Sequence, residues 1–223
     1  MPKYYKYPRT FHVPWSESST SDDVWHPEPF DLFKDQEVVV TLKKDGENTN
    51  AYKDHIHARS MNSGYHESRT WVKNLHAQIK HEIPDGYRIC GENLYAFHSI
   101  FYTNLPSYFL VFSVWDDENN CLSWDDTKEF CELLNLIPVP VIYEGIWNEK
   151  KVKKIWEEVK NSPYTFEDAE QKIPTTEEGY VIRLKKSFTF DEFKDSTAKF
   201  VRANHVRTNS NWMTQAVVPN LLS

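Results

Sequence analysis

Hydrophobic residues fall in short β-branched runs along this chain, and those runs predict strands. Residues 38–42 read VVVTL, and residues 48–53 read NTNAYK, a plausible partner strand. Between them, Lys44-Asp45-Gly46-Glu47 carries the Asp-Gly signal of a tight turn, so we expect a β-hairpin over 38–53. Further strands are predicted in GYRICGENLYAF, YFLVFSVWD, GYVIRL and AKFVRAN.

Apolar residues at helical spacing predict the helices. In SRTWVKNLHAQIKHEIP they recur at Trp71, Val72, Leu75 and Ile79, and Ser68 is expected to cap the start of the helix. The segments SWDDTKEFCELLNL and WNEKKVKKIWEEVKNSP are predicted helices as well. Because strands follow one another without regular crossover helices, we predict an α+β fold with a largely antiparallel sheet.

The length of the chain bounds its domain organisation. It has 223 residues, which suffices for one sizeable core but not for two domains of average size. We therefore expect a single domain over 1–223. Its first 30 residues or so, rich in Pro, Ser and aromatic side chains, are expected to be irregular and to wrap over that domain.

Charge and cysteine usage narrow the possible environments. The net charge is −7, so any nucleic-acid contact must come from a local cluster of Lys and Arg. Cys90, Cys121 and Cys131 form no CxxC pair and predict reduced thiols. No apolar run is long enough to cross a membrane, and MPKYYKYPRT is not a signal peptide, so we expect a cytoplasmic protein.

Two lysines stand just before the predicted turn. Side chains alternate across a strand, so Lys43 and Lys44 are expected to point in opposite directions, one of them into a pocket. Taken alone, the turn is most simply a polar hairpin tip, since Asp-Gly turns are common.

A series of short motifs extends from this turn to the end of the chain. The motifs are Lys43-Lys44-Asp45-Gly46, Gly91-Glu92, Phe112 in LVFSVWD, Glu178-Gly179 and Lys199. In order and approximate spacing they resemble the motifs of ATP-dependent RNA ligases. That family belongs to the covalent nucleotidyltransferase superfamily, together with DNA ligases and mRNA capping enzymes. The likeness is strongest to the small RNA ligases of phages and bacteria. Each motif alone is weak, whereas the ordered set is specific.

The resemblance implies a fold and a reaction. The fold would be a nucleotidyltransferase (ATP-grasp-like) domain of mostly antiparallel sheets flanked by helices, with no OB-fold or other C-terminal domain. The enzyme would use ATP and Mg²⁺ or Mn²⁺, form a lysyl-AMP intermediate, pass AMP to a 5′-phosphate, and join that end to a 3′-hydroxyl. Its partners would be RNA ends, and we expect a monomer.

The nucleophile implied by the resemblance is Lys43, in one catalytic motif with Asp45 and Gly46. Burial or nearby cations would lower the pKa of Lys43 so that it can lose its proton. Lys44 is expected to be a surface residue or a nucleic-acid contact.

The remaining roles also follow from the resemblance. The implied nucleotide and metal ligands are Phe112 on adenine, Glu92 on the ribose and the metal, Glu178 on the metal, Lys199 on the α-phosphate, and Arg202 beside it. Arg59 would bind the AMP phosphate or the 5′-phosphate of RNA, because guanidinium forks suit phosphate geometry. Asn48 would contact RNA. Arg69 and Lys73 do not come from the resemblance: they lie four residues apart on one face of the predicted helix, which indicates either a local phosphate site for RNA or a solvated helix face.

The chain departs from the family pattern at two positions, and two alternatives stay open. Leu42 stands where a Glu is common, and Thr197 stands where the first Lys of a Lys-x-Lys motif is common, so Arg202 or Arg207 would share the phosphate charge. One alternative is a DNA ligase or a capping-type nucleotidyltransferase. The other is a non-catalytic domain that binds RNA ends.

Overall fold

A computed structural model describes residues 3–18, 23–62, 64–161, 177–203 and 216–223. The helices are α1 (Thr70–Ile79), α2 (Trp124–Leu133), α3 (Glu149–Val159) and α4 (Phe193–Ser196). The strands are β1 (Glu37–Lys43), β2 (Glu47–Tyr52), β3 (Ile56–Ala58), β4 (Arg88–Asn93), β5 (Phe109–Trp115), β6 (Asn120–Cys121), β7 (Ile137–Pro138), β8 (Val141–Ile146), β9 (Gly179–Leu184), β10 (Phe188–Thr189) and β11 (Thr197–Val201).

The strands form two sheets. One has four strands in the order β11-β9-β1-β8. The other has seven, in the order β10-β6-β5-β4-β2-β3, with β7 pairing β5 from outside that path. Between the strands named above, the pairing is antiparallel except between β5 and β7. The predicted α+β class with mostly antiparallel sheets is confirmed.

The prediction of a hairpin over 38–53 is wrong. β1 pairs with β8 and β9, whereas β2 pairs with β3 and β4, so the two strands lie in different sheets. The Asp-Gly signal is local, but strand pairing is decided by which long-range partners cover each edge. Here the turn at residues 44–46 carries the chain from one sheet to the other.

The predicted helices are confirmed, with one correction at a helix start. Ser68 is not a cap, because it lies inside a 3₁₀ turn, Glu67–Arg69, that precedes α1. The ring of His66 accepts from the Ser68 N–H instead, which satisfies a donor that the helix start leaves unpaired. Val72 and Ile79 are buried on the apolar face of α1, as their spacing predicted.

The described apolar core has three clusters, and two of them join residues of both sheets. Val38, Val40 and Ile182 of the four-stranded sheet pack with Trp156 of α3. In the larger sheet, β4 and β5 pack against α1 and α2. The three cysteines are buried and free, as predicted. None of the helices described is long and apolar enough to cross a membrane.

The two terminal segments are tied to the edges of this frame. The N–H of Val13 donates to the Lys199 carbonyl at 2.8 Å, and the N–H of Lys199 donates to Phe11 at 2.8 Å, so residues 11–13 run beside β11. At the other end Asn220 is fully buried. Its side chain accepts from the Tyr102 N–H at 2.9 Å and donates to the Leu94 carbonyl at 2.8 Å.

Gly179 marks a close approach between β9 and β11. A Cβ there would lie 2.0 Å from the carbonyl oxygen of Phe200, which is backbone and cannot rotate away. We expect Gly179→Ala to lower the free energy of unfolding by about 1–3 kcal/mol in urea denaturation, as overpacking does. Gly64→Ala is the control, because a Cβ at Gly64 meets nothing within 4 Å. Equal effects of the two substitutions would contradict this packing.

Candidate active site

A cavity of about 540 Å³ is lined by both sheets and by the N-terminal segment. β1 contributes Lys43, and β11 contributes Lys199. The larger sheet contributes Asn48, Glu92 and Phe112. Because the turn after Lys43 joins the two sheets, it lies between the two walls of this cavity.

Lys43 is the last residue of β1, and it pairs with Glu178 beside it. The strand register places Lys43 opposite Gly179, the first residue of β9. Glu178, which precedes Gly179, therefore lies next to the lysine. Its Nζ lies 2.6 Å from the Glu178 carboxylate, and the lysine side chain is 26% exposed. Lys43 is therefore reachable from the cavity and held by a carboxylate.

Lys44 is not a surface residue, which corrects the expectation. Its side chain is fully buried in an ion pair with the equally buried Glu177. The ammonium also lies 4.8 Å from the centre of the Tyr102 ring. Strand alternation placed Lys44 opposite Lys43, and on that side the protein buries its side chain completely. An ammonium in such a place requires a carboxylate partner.

The pKa of Lys43 also differs from the expectation. Burial lowers this pKa, but the negative charges of Glu178, Glu92 and Asp45 outweigh burial and raise it above its ordinary value. Lys43 is thus a protonated ammonium among carboxylates. It must transfer a proton before it can act as a nucleophile, and the Glu178 carboxylate is the group in hydrogen-bond contact with it.

Glu92 stands near this pair and carries an unusual pKa. Its Oε1 accepts from the Gly46 N–H at 3.2 Å. Burial, with the charges of Glu178 and Asp45, raises the pKa of Glu92 to about 8, although Lys43 opposes the shift. Such crowding of acidic groups would be relieved by a bound cation. No cluster of three or more metal-ligating side chains occurs in the described ranges.

The raised pKa of Glu92 makes stability depend on pH. The folded protein holds the Glu92 proton up to about pH 8, whereas the unfolded chain releases it near the ordinary value of 4.5. Between those values the folded state binds more protons, so its stability falls as pH rises. We expect the free energy of unfolding to decrease over this window and the slope to flatten in Glu92→Gln. Identical slopes in the two proteins would contradict the assignment.

Asp45 anchors the turn after β1 by hydrogen bonds to the segment that contains Ser99, Ile100 and Tyr102. One carboxylate oxygen accepts from the Ser99 N–H at 2.7 Å, the Ser99 hydroxyl at 2.6 Å and the Ile100 N–H at 3.0 Å. The Asp45 N–H donates to the Tyr102 hydroxyl at 3.0 Å. Asp45 is absent from the cavity wall, while Gly46 is part of it. The predicted catalytic Asp45 thus fixes the turn that carries Lys43.

Lys199 lies on the cavity wall, as the motif suggested, and Arg202 does not. Lys199 Nζ is 3.1 Å from Asp23, which also lies 3.0 Å from His12 Nε2. Burial and the charge of Lys43 lower the pKa of Lys199. The Arg202 guanidinium instead donates to the Glu177 carbonyl at 2.9 Å, so Arg202 supports the buried pair. Arg207 lies outside the described residues.

Phe112 forms part of the cavity together with an aromatic residue that the motifs did not reveal. Tyr7 meets Phe112 edge to face, with ring centres 5.2 Å apart. Phe112 is only partly buried, so one side remains available to a flat ligand. Leu42 also lines the cavity, where an apolar side chain suits a base.

The predicted RNA contacts fall into two groups. Arg59 and Asn48 line the cavity. Arg69 does not line the cavity. Its guanidinium donates to the Glu47 carboxylate, with Nε at 2.7 Å, and Arg69 is only 7% exposed. Lys73 lies away from the cavity, with its ammonium 5.7 Å from the centre of the Tyr65 ring. Arg69 is therefore a structural residue, contrary to the shared phosphate site that helical spacing indicated.

Sequence reasoning missed Glu177, Asp23 and Tyr7. Glu177 had a signal, because two adjacent glutamates, Glu177 and Glu178, mirror two adjacent lysines, Lys43 and Lys44. Asp23 and Tyr7 had none, since each lies in the irregular segment and reaches the cavity only through tertiary packing.

Comparison with known proteins places the chain in a family. The sequence profile of the RNA ligase family matches residues 36–201. The chain therefore belongs to the RNA ligase family, as the motifs indicated. A search of curated proteins finds no match.

Solved structures of ligases superpose on part of this chain. An RNA ligase from Naegleria gruberi, solved with ATP and Mn, superposes with a TM-score of 0.50 at 15% identity, over 76% of this chain and 50% of its own. An archaeal ATP-dependent RNA ligase gives 0.49 at 13% identity over 78% of this chain and 45% of its own. A putative ATP-dependent DNA ligase from Aquifex aeolicus superposes with a TM-score of 0.49 at 21% sequence identity. The match covers 76% of this chain and 44% of that ligase. The chain spans about half the length of the Naegleria gruberi ligase.

Proposed function

We propose that this protein is an ATP-dependent RNA ligase whose nucleophile is Lys43. The observation that carries the proposal is the position of Lys43 at the end of β1, on the same cavity as Phe112, Glu92 and Lys199. Membership of the RNA ligase family supports it. A lysine, an aromatic face and a second cation around one cavity suit the transfer of a nucleotide.

The first step forms lysyl-AMP. Lys43 gives a proton to Glu178, and its Nζ attacks the α-phosphorus of ATP. The nitrogen–phosphorus bond forms as the bond to pyrophosphate breaks, and pyrophosphate leaves. Phe112 stacks on the base, and Lys199, released from Asp23, neutralises charge on the α-phosphate.

A divalent metal, Mg²⁺ or Mn²⁺, would neutralise phosphate charge when bound, and the Glu92 and Glu178 carboxylates would hold it. Both carboxylates stand near Lys43, and Glu92 retains its proton up to about pH 8 without a cation. Metal binding is therefore expected to release a proton from Glu92.

Two further steps join the RNA ends. The 5′-phosphate of RNA attacks the phosphorus of lysyl-AMP and frees Lys43, and a 3′-hydroxyl then displaces AMP to close the strand. We propose that Arg59 and Asn48 hold the RNA end, and their position on the wall of the same cavity supports this. We further propose that the protein acts as a monomer in the cytoplasm, and sedimentation analysis would test the first part.

Intact-protein mass spectrometry tests the proposal. The protein is first stripped of bound nucleotide with pyrophosphate and then incubated with Mg²⁺ and either ATP or GTP. One AMP added from ATP, and removed again by pyrophosphate, is the expected result. A GMP adduct would favour a capping-type enzyme, and the absence of any adduct would favour a domain that only binds RNA ends. Ligation of RNA compared with nicked DNA then separates an RNA ligase from a DNA ligase.

A further inference from the structure

Most cations on the cavity wall are already neutralised or hydrogen-bonded. Lys43 pairs with Glu178, Lys44 with Glu177, and Lys199 with Asp23. Arg183 donates to the backbone oxygens of Leu184 and Leu122. In a protein with a net charge of −7, carboxylates are plentiful enough to supply such partners.

Arg9 and Arg59 are different. Both line the cavity, and neither side chain has an ion pair or hydrogen bond among the residues that the structure describes. Burial and, after it, the charge of nearby Arg9 lower the pKa of Arg59. The neighbouring carboxylate, Asp23, is held by Lys199 and His12. Two like charges that face one cavity repel each other, and an anion bound between them would relieve this repulsion.

The two arginines are carried by backbone that is fixed on both walls. Arg9 lies between Tyr7, which packs against Phe112, and Phe11, whose carbonyl accepts from Lys199 at 2.8 Å. The N–H of Arg59 donates to the Asn48 carbonyl at 2.9 Å, just after β3. Arg9 lies outside the family-matched segment 36–201, so that match gives it no role.

We propose that Arg9 completes, together with Arg59, a binding site for a terminal phosphate group in the mouth of this cavity; a phosphate role for Arg59 is already implied by the family resemblance, and the part of Arg9 is the new element. Guanidinium forks bind phosphate oxygens in pairs, which suits a dianion between two arginines. Two sources share this chemistry, the pyrophosphate portion of a nucleoside triphosphate and the 5′-phosphate of an RNA strand. This choice of sources rests on the proposed function, whereas the anion site itself does not.

Calorimetry in the absence of ATP tests the site without catalysis. Two probes are titrated into the full chain: inorganic pyrophosphate, and a short RNA with a 5′-phosphate compared with the same RNA ending in a 5′-hydroxyl. The variants are Arg9→Ala, Arg9→Lys and Arg59→Ala. Lys6→Ala is the matched control, because Lys6 is exposed on the same segment and absent from the cavity wall. Arg9 is itself exposed, so its replacement should leave the unfolding midpoint unchanged.

We expect Arg9→Ala and Arg59→Ala to weaken binding of the same probe, each by about tenfold or more. Lys6→Ala should weaken binding of that probe by less than about twofold. Loss confined to pyrophosphate identifies the nucleotide as the source, and loss of the preference for 5′-phosphate over 5′-hydroxyl identifies RNA. Arg9→Lys should bind with intermediate strength, since it keeps the charge without the fork. If Arg9→Ala binds both probes as the Lys6→Ala control does, the site is overturned. If binding depends on Arg9 but the protein forms no AMP adduct, the proposed ligase reaction is wrong and the proposed anion site is still supported.

Discussion

Replacing Lys43 with arginine is expected to abolish the covalent attachment of AMP while leaving the protein folded. Arginine keeps a cation beside Glu178, so the ion pair at 2.6 Å can be retained. A guanidinium stays protonated in proteins and cannot act as the nucleophile. Loss of a nucleophile typically lowers a rate by at least roughly a thousandfold, which would place the adduct below detection in intact-mass measurements.

Lys43→Ala provides a second version of the same experiment. It removes the nucleophile together with the ammonium that pairs with the Glu178 carboxylate, so a loss of stability accompanies the loss of the adduct. Lys199 serves as an internal check, because it shares the cavity and its pKa is lowered. An AMP adduct that survives in Lys43→Arg and maps to Lys199 or Lys44 would disprove the assignment of the nucleophile.

Replacing Lys44 with methionine is expected to destabilise the fold strongly. The substitution leaves the fully buried Glu177 carboxylate without a cation. Removing one partner of a buried ion pair costs about 3–5 kcal/mol, because an unpaired charge then stays in a site that water cannot reach. Urea denaturation of Lys44→Met, compared with the wild type, measures this loss directly.

The double variant Lys44→Met/Glu177→Leu is the matched control. Apolar side chains of similar size often replace a buried ion pair at little cost, so most of the stability should return, to within about 1–2 kcal/mol of the wild type. A Lys44→Met protein as stable as the wild type would show that the pair is not buried as described. Together with Lys43→Arg, these variants test whether the two neighbouring lysines differ in role, with Lys43 proposed as the nucleophile and Lys44 expected to stabilise the fold.

Local sequence signals predicted the elements of this fold but not their pairing. Apolar spacing placed Val72 and Ile79 on the buried face of α1, and both are buried. The Asp-Gly turn, in contrast, predicted a hairpin that does not exist. A turn signal involves only a few neighbouring residues. The pairing of β1 involves strands far along the chain, because β8 pairs with one of its edges and β9 with the other.

The same limit applies to the site. Ordered motifs identified Lys43, Glu92, Phe112 and Lys199, which the fold brings to one cavity. Spacing could not show which cations already have partners. Glu47 occupies the guanidinium of Arg69, and that contact depends on how β2 packs beside the turn before α1. Arg9 carried no motif, since its position comes from an irregular segment lying along β11.

The placement of β1 and β2 in separate sheets makes the Lys-x-Asp-Gly motif a constraint on length as well as on chemistry. Only residues 44–46 connect the two strands, and Asp45 is anchored within them. An inserted residue could not be absorbed there without shifting the register of β2. Such a shift would exchange its faces, turning Thr49 toward the cavity and Asn48 away from it. The number of residues between Lys43 and Asn48 is therefore fixed by the geometry that two sheets impose on one turn.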